Sequence, residues 1–354
     1  MYYTHQFIAP FGLRIFKDDQ PFYFEQGGIL PELQIAYHSY GTLNAAKDNV
    51  IWVCHALTAN SDVADWWPGM VGEGCLMDPS KHFIVCANVL GSNYGSSSPR
   101  FVNPETGKPY GMHFPRFTVR DIVNSHIRLM EHLSIDKISM LMGGSFGGHQ
   151  AMEMALILPK STVCKLVLLA CSAQETAWSI AIHETQRMAL EADATLYNND
   201  EKAGAEGLKT ARGFGLLTYR TIESYIQSQT DKDGRLDNFK AASYIRYQGQ
   251  KLEARFHAHC YWFLSKCLDT HHIGRGRGEI SEILSTLEMP TIVIALKTDM
   301  LIPPSEQEYL ARHIPNALYY EIPSIYGHDG FLIEVEEITK RIENRSRPKD
   351  ERAI

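Results

Sequence analysis

The sequence predicts an α/β fold in which a mostly parallel central sheet carries helices on both faces and an all-helical unit is inserted between two strands. Two observations lead to this prediction. Short apolar, β-branched stretches alternate with amphipathic stretches over residues 1–172 and again over 288–354. The intervening residues have helical patterns only, and this part is too long for an ordinary connection between two strands.

The alternating parts contain the predicted strands and helices of the core. The strand candidates are short runs rich in Val, Ile and Leu, at residues 33–39, 49–55, 82–89, 137–142, 165–171, 291–296 and 318–322. The helix candidates have apolar residues three or four positions apart, at residues 119–133, 147–158 and 304–313. Strands that are joined through helices usually pair in parallel, so a mostly parallel sheet follows.

The middle part of the chain predicts a helical cap, or lid, over the carboxyl ends of the strands. Its helical stretches are residues 180–190, 203–219, 222–227 and 250–267. We therefore divide the chain into a first core part at 1–172, a cap at 173–287 and a second core part at 288–354. The charged tail at 340–354 is expected to form a fraying helix or coil.

Composition argues against several classes of function. The chain of 354 residues has 34 Lys and Arg against 41 Asp and Glu, a formal charge of −7, and no long basic run, so it lacks the charge pattern of a nucleic-acid-binding protein. Its apolar runs are far shorter than the roughly 20 residues of a membrane-spanning helix. The first six residues lack the pattern of a secretory signal. We expect a soluble, cytoplasmic protein that binds neither nucleic acid nor membranes.

Cysteine and histidine spacing does not favour a metal site. The seven cysteines are dispersed without a Cys-x-x-Cys pair, which is typical of reduced and mostly buried thiols. The fifteen histidines are densest at 256–260 and 271–272, but no His-x-x-x-His helix pair is present. We expect packed or solvated histidines and no metal.

A candidate nucleophile lies in the segment Gly143-Gly144-Ser145-Phe146-Gly147. This Gly-x-Ser-x-Gly motif directly follows a predicted strand and directly precedes a predicted helix. A serine at such a tight turn takes strained backbone angles, and the flanking glycines let neighbouring backbone pass without a clash. The register does not match the Gly-x-Gly-x-x-Gly loop that binds dinucleotides. The motif therefore predicts Ser145 as a nucleophile whose hydroxyl is exposed at the sheet edge.

A nucleophilic serine needs a base and a group that orients the base. In α/β-hydrolases the acid and the histidine follow the serine in the chain. Asp299 follows the predicted strand 291–296, and His328 lies in a glycine-flanked loop after the last predicted strand. Alone, Asp299 could cap a helix and His328 could be an ordinary loop residue. Their order and their positions at strand ends favour a catalytic triad with Ser145.

An oxyanion hole is expected from two backbone amides. One is the N–H of Phe146, which follows the nucleophile, and the other comes from the loop after an earlier strand. That loop begins at His55, and the amide of Leu57 is our candidate. His55 can be interpreted as a second base, but a supporting role in holding the loop is favoured.

Several segments, taken in order, carry a resemblance to one protein family. They include His-Ala-Leu-Thr at 55–58, the glycine-rich turn around Ser145 and Tyr-Gly-His-Asp at 326–329, with further matches at 86–91, 103–111, 218–220 and 243–249. Together they resemble the homoserine O-acetyltransferase family, a branch of the α/β-hydrolase superfamily, over nearly the whole chain. The resemblance implies an α/β-hydrolase fold with an inserted helical cap.

The resemblance also implies a reaction, a ping-pong acyl transfer in methionine synthesis. Ser145 would take the acetyl group from acetyl-CoA and pass it to the hydroxyl of L-homoserine, with His328 as base and Asp299 as its partner. Acetyl-CoA would be a co-substrate, and no cofactor would be bound permanently. Because the family forms homodimers through the cap, we expect a homodimer.

The resemblance assigns three residues to the acceptor. Arg212 matches a cap arginine that binds the acceptor carboxylate, a task for which the guanidinium fork is suited. Tyr219 matches a tyrosine near the same pocket. Asp329 matches a carboxylate placed for the acceptor's ammonium group.

Some positions depart from the common family pattern, and they leave the substrates open. Phe146 replaces a methionine, Ala59 replaces a glycine, and His183 replaces an asparagine. Succinyl-CoA as donor and L-serine as acceptor remain alternatives, because one methylene is worth only about 1 to 3 kcal/mol in a pocket. A carboxylic-ester hydrolase with the same triad is the alternative from another reaction class.

Overall fold

The computed structural model describes residues 12–343, which are built around a large central sheet. The strands of this part of the chain are β1 (Arg14–Asp18), β2 (Phe22–Tyr23), β3 (Ile29–Leu30), β4 (Leu33–Tyr40), β5 (Val50–Cys54), β6 (Phe83–Ala87), β7 (Val102–Asn103), β8 (Lys108–Pro109), β9 (Met140–Gly144), β10 (Leu166–Leu169), β11 (Thr291–Leu296) and β12 (Ala317–Ile322). Eight of these strands form the central sheet, and the pairs β2–β3 and β7–β8 are separate two-stranded ribbons.

The central sheet has the strand order β1-β4-β6-β5-β9-β10-β11-β12. The six strands from β6 to β12 pair in parallel, while β1 and β4 pair antiparallel at one edge. The predicted mostly parallel α/β fold is therefore confirmed. From β5 the chain moves to β6 on one side and later to β9 on the other. A crevice forms at such a switch point, outside the carboxyl ends of the strands.

The helices of the described residues lie between the strands and in one long insertion. They are α1 (Val63–Trp66), α2 (Val119–His132), α3 (Phe146–Ile157), α4 (Ala177–Glu191), α5 (Ala205–Tyr219), α6 (Ile222–Gln229), α7 (Lys240–Glu253), α8 (Ala258–Asp269), α9 (Ile280–Ser285), α10 (Pro304–His313), α11 (Gly330–Ile333) and α12 (Val335–Glu343). Helix α2 begins with a capping box, because the Thr118 side chain accepts the Asp121 amide and the Asp121 carboxylate accepts the Thr118 amide.

The two faces of the sheet are covered by separate apolar clusters. Successive side chains of a strand point to opposite faces. Trp52 and Leu141 therefore belong to the cluster that includes residues of α2 and α3. Their neighbours Val53 and Met142 belong to the other cluster, together with Trp67 and residues of α12. Burial on both faces explains why the central strands are continuously apolar.

The insertion between β10 and β11 contains the helices α4 to α9. Helix α4 packs on α5 and α8, and α5 packs on α7. The single helix predicted over 250–267 is wrong, because α7 ends at Glu253 and α8 begins at Ala258. The extended backbone of His257 separates the two helices, and its Nδ1 accepts the N–H of His259 at 3.2 Å. The apolar pattern continues across this break, so the sequence did not reveal it.

Ion pairs join the end of the insertion to the core. The carboxylate of Glu153 on α3 is almost fully buried and accepts hydrogen bonds from Arg277 at 2.6 and 2.9 Å and from Arg120 at 2.7 Å. Arg275 donates to Glu25 at 2.9 Å. A buried carboxylate requires such pairing, because its desolvation is otherwise costly.

Many histidines are buried, and burial lowers their pKa. The pKa of His55 and of His271 falls to about 4, and that of His126 and of His257 falls to about 3. The imidazoles of these four side chains are therefore neutral near pH 7. Within residues 12–343, no group of three or more His, Cys, Asp or Glu side chains is arranged to hold a metal ion.

The described part of the chain ends in α12, whose Ile338 and Ile342 are buried. The described part of the predicted tail belongs to α12, and residues 344–354 lie outside the described residues. Among the helices of residues 12–343, none combines the length and the apolar character required to cross a membrane.

Candidate active site

Ser145 lies in the turn between β9 and α3, with strained backbone angles. Its φ of 56° and ψ of −126° are unusual for a residue with a side chain. Its amide donates to the carbonyl oxygen of Leu169 on the neighbouring strand at 2.9 Å. The hydroxyl makes no capping bond to α3 and is therefore available to another partner.

Close backbone contacts explain the glycines on either side of Ser145. A Cβ added to Gly143 would lie 2.2 Å from the carbonyl oxygen of Gly147, and one added to Gly147 would lie 2.0 Å from the carbonyl oxygen of Cys54. Both distances are well inside van der Waals contact, and backbone atoms cannot rotate away. Helix α3 can therefore begin directly against the end of β5 only if both positions are glycine.

The structure brings Ser145, His328 and Asp299 together in one hydrogen-bonded chain. His328 Nε2 lies 2.8 Å from Ser145 Oγ, and His328 Nδ1 lies 2.6 Å from Asp299 Oδ2. Because the carboxylate can only accept, the imidazole carries its proton on Nδ1 and leaves Nε2 free to accept the serine proton. This arrangement activates a serine hydroxyl as a nucleophile.

The carboxylate of Asp299 is fixed by backbone amides. Its second oxygen, Oδ1, accepts the N–H groups of Leu301 at 2.9 Å and Ile302 at 3.0 Å. Its side chain is fully buried, and α10 begins later, after Pro303. Asp299 therefore does not cap that helix, and its remaining oxygen faces the histidine.

Two opposing effects set the pKa of His328. Burial lowers it by disfavouring the cation, but the adjacent Asp299 carboxylate favours the cation through its charge and its hydrogen bond. The net effect is a pKa raised above the usual histidine value. The carboxylate therefore makes the imidazole a stronger base.

The two expected oxyanion donors are the backbone amides of Phe146 and Leu57. The amide of Phe146 is the first of helix α3 and has no carbonyl partner within the helix. Leu57 lines the same pocket as Ser145. The loop that carries Leu57 is held by His55, whose Nδ1 donates to the carbonyl of Ala56 at 2.8 Å and whose Nε2 accepts the Val89 amide at 3.0 Å. With both ring nitrogens bonded to backbone, His55 supports the loop.

A pocket of about 380 Å³ opens over Ser145, between the core and the insertion. The three residues expected to contact the acceptor all line this pocket; they are Arg212, Tyr219 and Asp329. The Arg212 guanidinium lies 5.7 Å from the centre of the Tyr219 ring and has no ion-pair partner within residues 12–343. The Tyr219 ring in turn lies 5.9 Å from that of His328.

Asp329 has a partner that the sequence did not reveal. Arg220, which follows the last residue of α5, donates through Nε to Asp329 Oδ2 at 2.9 Å. One charge of the insertion is therefore paired with the residue next to His328. A substrate ammonium at Asp329 would share this carboxylate with Arg220.

The pocket also contains a carboxyl group that sequence reasoning missed, that of Glu175. Glu175 is almost fully buried, and burial raises the pKa of its carboxyl. Its Oε1 lies 3.6 Å from His149 Nδ1, and its Oε2 has no hydrogen-bond partner among the described residues. His183 also lines the pocket and contacts Asp269 at 3.1 Å. In the sequence, only its position shortly after strand β10 could have indicated that Glu175 lies in the pocket, because ligands bind at the carboxyl ends of parallel strands.

Comparison with known proteins agrees with this architecture. The sequence profile of a family described as "alpha/beta hydrolase fold" matches residues 49–335. A homoserine O-acetyltransferase from Cyclobacterium marinum is 45% identical over 324 residues, with 92% of each chain covered.

Solved structures share the fold at lower identity. A homoserine O-acetyltransferase from Bacillus anthracis superposes with a TM-score of 0.85 at 23% identity, over 94% of this chain and 98% of that one. An acetylester hydrolase from Corynebacterium glutamicum superposes with a TM-score of 0.82 at 22% identity, over 94% of this chain and 93% of that one.

The profile match, the sheet order and the serine turn together define an enzyme of the α/β-hydrolase fold. Identity over nearly the full length then identifies the branch, and the chain belongs to the homoserine O-acetyltransferase family. The family expected from the sequence is thereby confirmed.

The serine turn predicts a strong and local effect on stability. Gly147→Ala is expected to lower the free energy of unfolding by about 3 kcal/mol or more, because the new Cβ would overlap the Cys54 carbonyl oxygen. Gly234→Ala is the matched control, since a Cβ there meets nothing within 4 Å. Urea denaturation of both variants measures the difference. Equal stability of the two variants would contradict the close approach of α3 to β5.

Proposed function

We propose that the protein transfers an acetyl group from acetyl-CoA to the hydroxyl of L-homoserine. One observation carries the proposal: the chain Ser145–His328–Asp299 opens onto a pocket in which the Arg212 guanidinium has no ion-pair partner within residues 12–343. The first feature suits acyl transfer, and the second suits an acceptor that carries a carboxylate. The name of the Cyclobacterium marinum relative supports the same reaction.

In the proposed first half-reaction, Ser145 becomes acetylated. Its Oγ attacks the thioester carbonyl carbon while His328 Nε2 takes the hydroxyl proton. The amides of Leu57 and Phe146 stabilise the negative oxygen of the tetrahedral intermediate. When the intermediate collapses, the C–S bond breaks, and His328 returns the proton to the leaving CoA thiolate.

The second half-reaction repeats these steps with the acceptor. The homoserine hydroxyl gives its proton to His328 and attacks the acetyl ester, and the Ser145 oxygen leaves and recovers the proton. Arg212 would bind the acceptor carboxylate beside Tyr219, and Asp329 would bind its ammonium group. The insertion contributes Arg212, Tyr219 and other walls of the pocket, which supports the exclusion of water that a transferase needs.

The proposal extends to cofactor, assembly and location. We propose acetyl-CoA as a co-substrate, with no permanently bound cofactor, and a homodimer formed through the insertion. Apolar side chains exposed there support an interface; they are Phe214, Leu217, Ile222, Ile226 and Tyr247. Four further points stay predictions. They are the cytoplasmic location, methionine synthesis as the pathway, acetyl-CoA rather than succinyl-CoA as donor, and homoserine rather than serine as acceptor.

A carboxylic-ester hydrolase is the second candidate. The same triad hydrolyses esters when water replaces the acceptor, and the acetylester hydrolase from Corynebacterium glutamicum has the same fold. The two candidates differ in the fate of the acetyl group. A transferase gives O-acetylhomoserine, whereas a hydrolase gives acetate at a rate that homoserine does not change.

The decisive experiment follows the acetyl group. With acetyl-CoA alone, the intact mass of the protein is expected to show one acetyl adduct, which homoserine then removes as O-acetylhomoserine. Ser145→Ala should form no adduct, whereas Ser139→Ala, a control whose hydroxyl bonds the Val50 carbonyl outside the pocket, should behave as wild type. Succinyl-CoA in a parallel sample tests the donor. Acetate release that is equally fast with and without homoserine would overturn the proposal.

Arg212 is expected to affect only the second half-reaction. In Arg212→Ala the KM for homoserine should rise about 100-fold, because two charge-assisted hydrogen bonds to the carboxylate are lost. The rate of acetyl-enzyme formation should be unchanged. Arg212→Lys keeps the charge but loses the guanidinium fork, so its KM for homoserine should lie between those of the wild type and Arg212→Ala. Stopped-flow measurement of each half-reaction checks this, and equal losses in both would indicate a structural arginine.

The pKa of His328 predicts the pH dependence. The base must be neutral, so activity should fall as the pH falls through a pKa above the usual histidine value of about 6.5. In Asp299→Asn this acidic limb should move to lower pH, because the carboxylate that raises the pKa is gone, while kcat should fall about 10⁴-fold. A pH profile of CoA release for both proteins tests this. An unchanged apparent pKa in the variant would contradict the assignment of the acidic limb to His328.

A further inference from the structure

Arg255, in the short link between α7 and α8, reaches from the insertion to the core. Its Nη1 donates to the carbonyl oxygen of Thr58 and to Tyr94 Oη, the latter at 2.7 Å, and its Nη2 donates to Thr58 Oγ1 at 3.3 Å. One guanidinium therefore holds both the backbone and the side chain of Thr58. Thr58 directly follows Leu57, whose amide is the expected oxyanion donor.

The loop that carries Leu57 is otherwise held by a turn hydrogen bond, from the Ala59 amide to the Ala56 carbonyl at 3.1 Å, and at its two ends. At the start, His55 is bonded to backbone through both ring nitrogens, and Gln150 donates to the His55 carbonyl at 3.1 Å. At the end, the Trp66 indole donates to the Asn60 carbonyl at 2.8 Å. Within residues 12–343, the hydrogen bonds of Thr58 come from Arg255 alone. The turn gives the middle of the loop its local shape, and Arg255 ties this turn to the insertion.

The position of Arg255 is itself fixed against the core. Asn93 donates to the Arg255 carbonyl at 3.1 Å and accepts the His257 amide at 3.2 Å. The neighbouring Tyr94 and Phe256 rings meet edge to face, with centres 5.6 Å apart. Because its backbone is anchored, the guanidinium is already oriented toward Thr58 when the substrate arrives.

We propose that Arg255 is a positioning residue, which holds Thr58 so that the neighbouring Leu57 N–H points at the developing oxyanion. This inference rests on the proposed function, because it assigns Arg255 to the same acyl-transfer site. An oxyanion donor acts only when its direction is fixed before the reaction. Docking of the insertion on the core therefore completes the catalytic site.

The test uses a reaction that requires the serine and the oxyanion hole but neither substrate. Diethyl 4-nitrophenyl phosphate is uncharged; Ser145 Oγ forms a bond to phosphorus, the bond to the aryl oxygen breaks, and 4-nitrophenolate leaves while His328 takes the serine proton. In Arg255→Ala we expect the rate of 4-nitrophenolate release to fall about 10- to 100-fold. The rate constants of both half-reactions should fall by the same factor. The KM values for acetyl-CoA and homoserine should change little.

Two further variants separate positioning from charge and from folding. Arg255→Lys keeps one donor for the Thr58 carbonyl and should recover part of the loss, as should guanidinium ion added to Arg255→Ala. Lys202→Ala removes a cation of the insertion that pairs with Glu253 and does not line this pocket, and should leave the phosphate ester reaction unchanged. If Arg255→Ala does not fold, the comparison rests on Arg255→Lys, which should be slower than wild type at unchanged KM.

The opposite results are equally clear. A higher KM for acetyl-CoA at unchanged kcat would make Arg255 a binding residue for the CoA phosphates and overturn the inference. So would a wild-type rate with the phosphate ester in Arg255→Ala and Arg255→Lys. If acetyl-CoA leaves no acetyl adduct on Ser145 of the wild-type protein, the proposed function itself fails, whereas the outcomes above overturn only the role of Arg255, and the two failures are thus distinguished.

Discussion

The backbone contact between the start of α3 and the end of β5 is the constraint on which the site depends. Gly147 touches the carbonyl of Cys54, and this contact holds Ser145 in a strained conformation that costs on the order of 1 to 3 kcal/mol. The buried strands on either side offset that cost. In return the Ser145 hydroxyl lies 2.8 Å from His328 Nε2, and the Phe146 amide, the first of α3, has no carbonyl partner within the helix.

The core and the insertion contribute different things to the pocket. The core supplies the serine, the histidine and the carboxylate, all at the carboxyl ends of parallel strands. The insertion supplies charge: Arg212 lies over the pocket, Arg220 pairs with Asp329, and Arg255 holds Thr58. Arg220 and Arg255 thus bond to loops of the core, whereas within the described residues Arg212 does not. The insertion is therefore both a cover and a support for the loops beneath it.

The core and its triad could be predicted from the sequence because their signals are local. A strand, a glycine turn and a helix surround Ser145 within a few residues, and the acid and base each follow a strand. The edge strand β1, with its exposed and charged residues, had no such pattern. The pairs Arg220–Asp329 and Arg255–Thr58 join residues 109 and 197 positions apart, and they depend on how the insertion packs.

The buried neutral histidines make the fold sensitive to acid. In the unfolded chain these imidazoles bind protons below about pH 6.5, whereas in the folded protein His55 and His271 stay neutral down to about pH 4, and His126 and His257 to about pH 3. The unfolded state therefore binds more protons over this interval, and each such side chain weakens the fold as the medium is acidified. The same buried imidazoles that pack well at neutral pH therefore determine how acidic the medium can become before the protein unfolds.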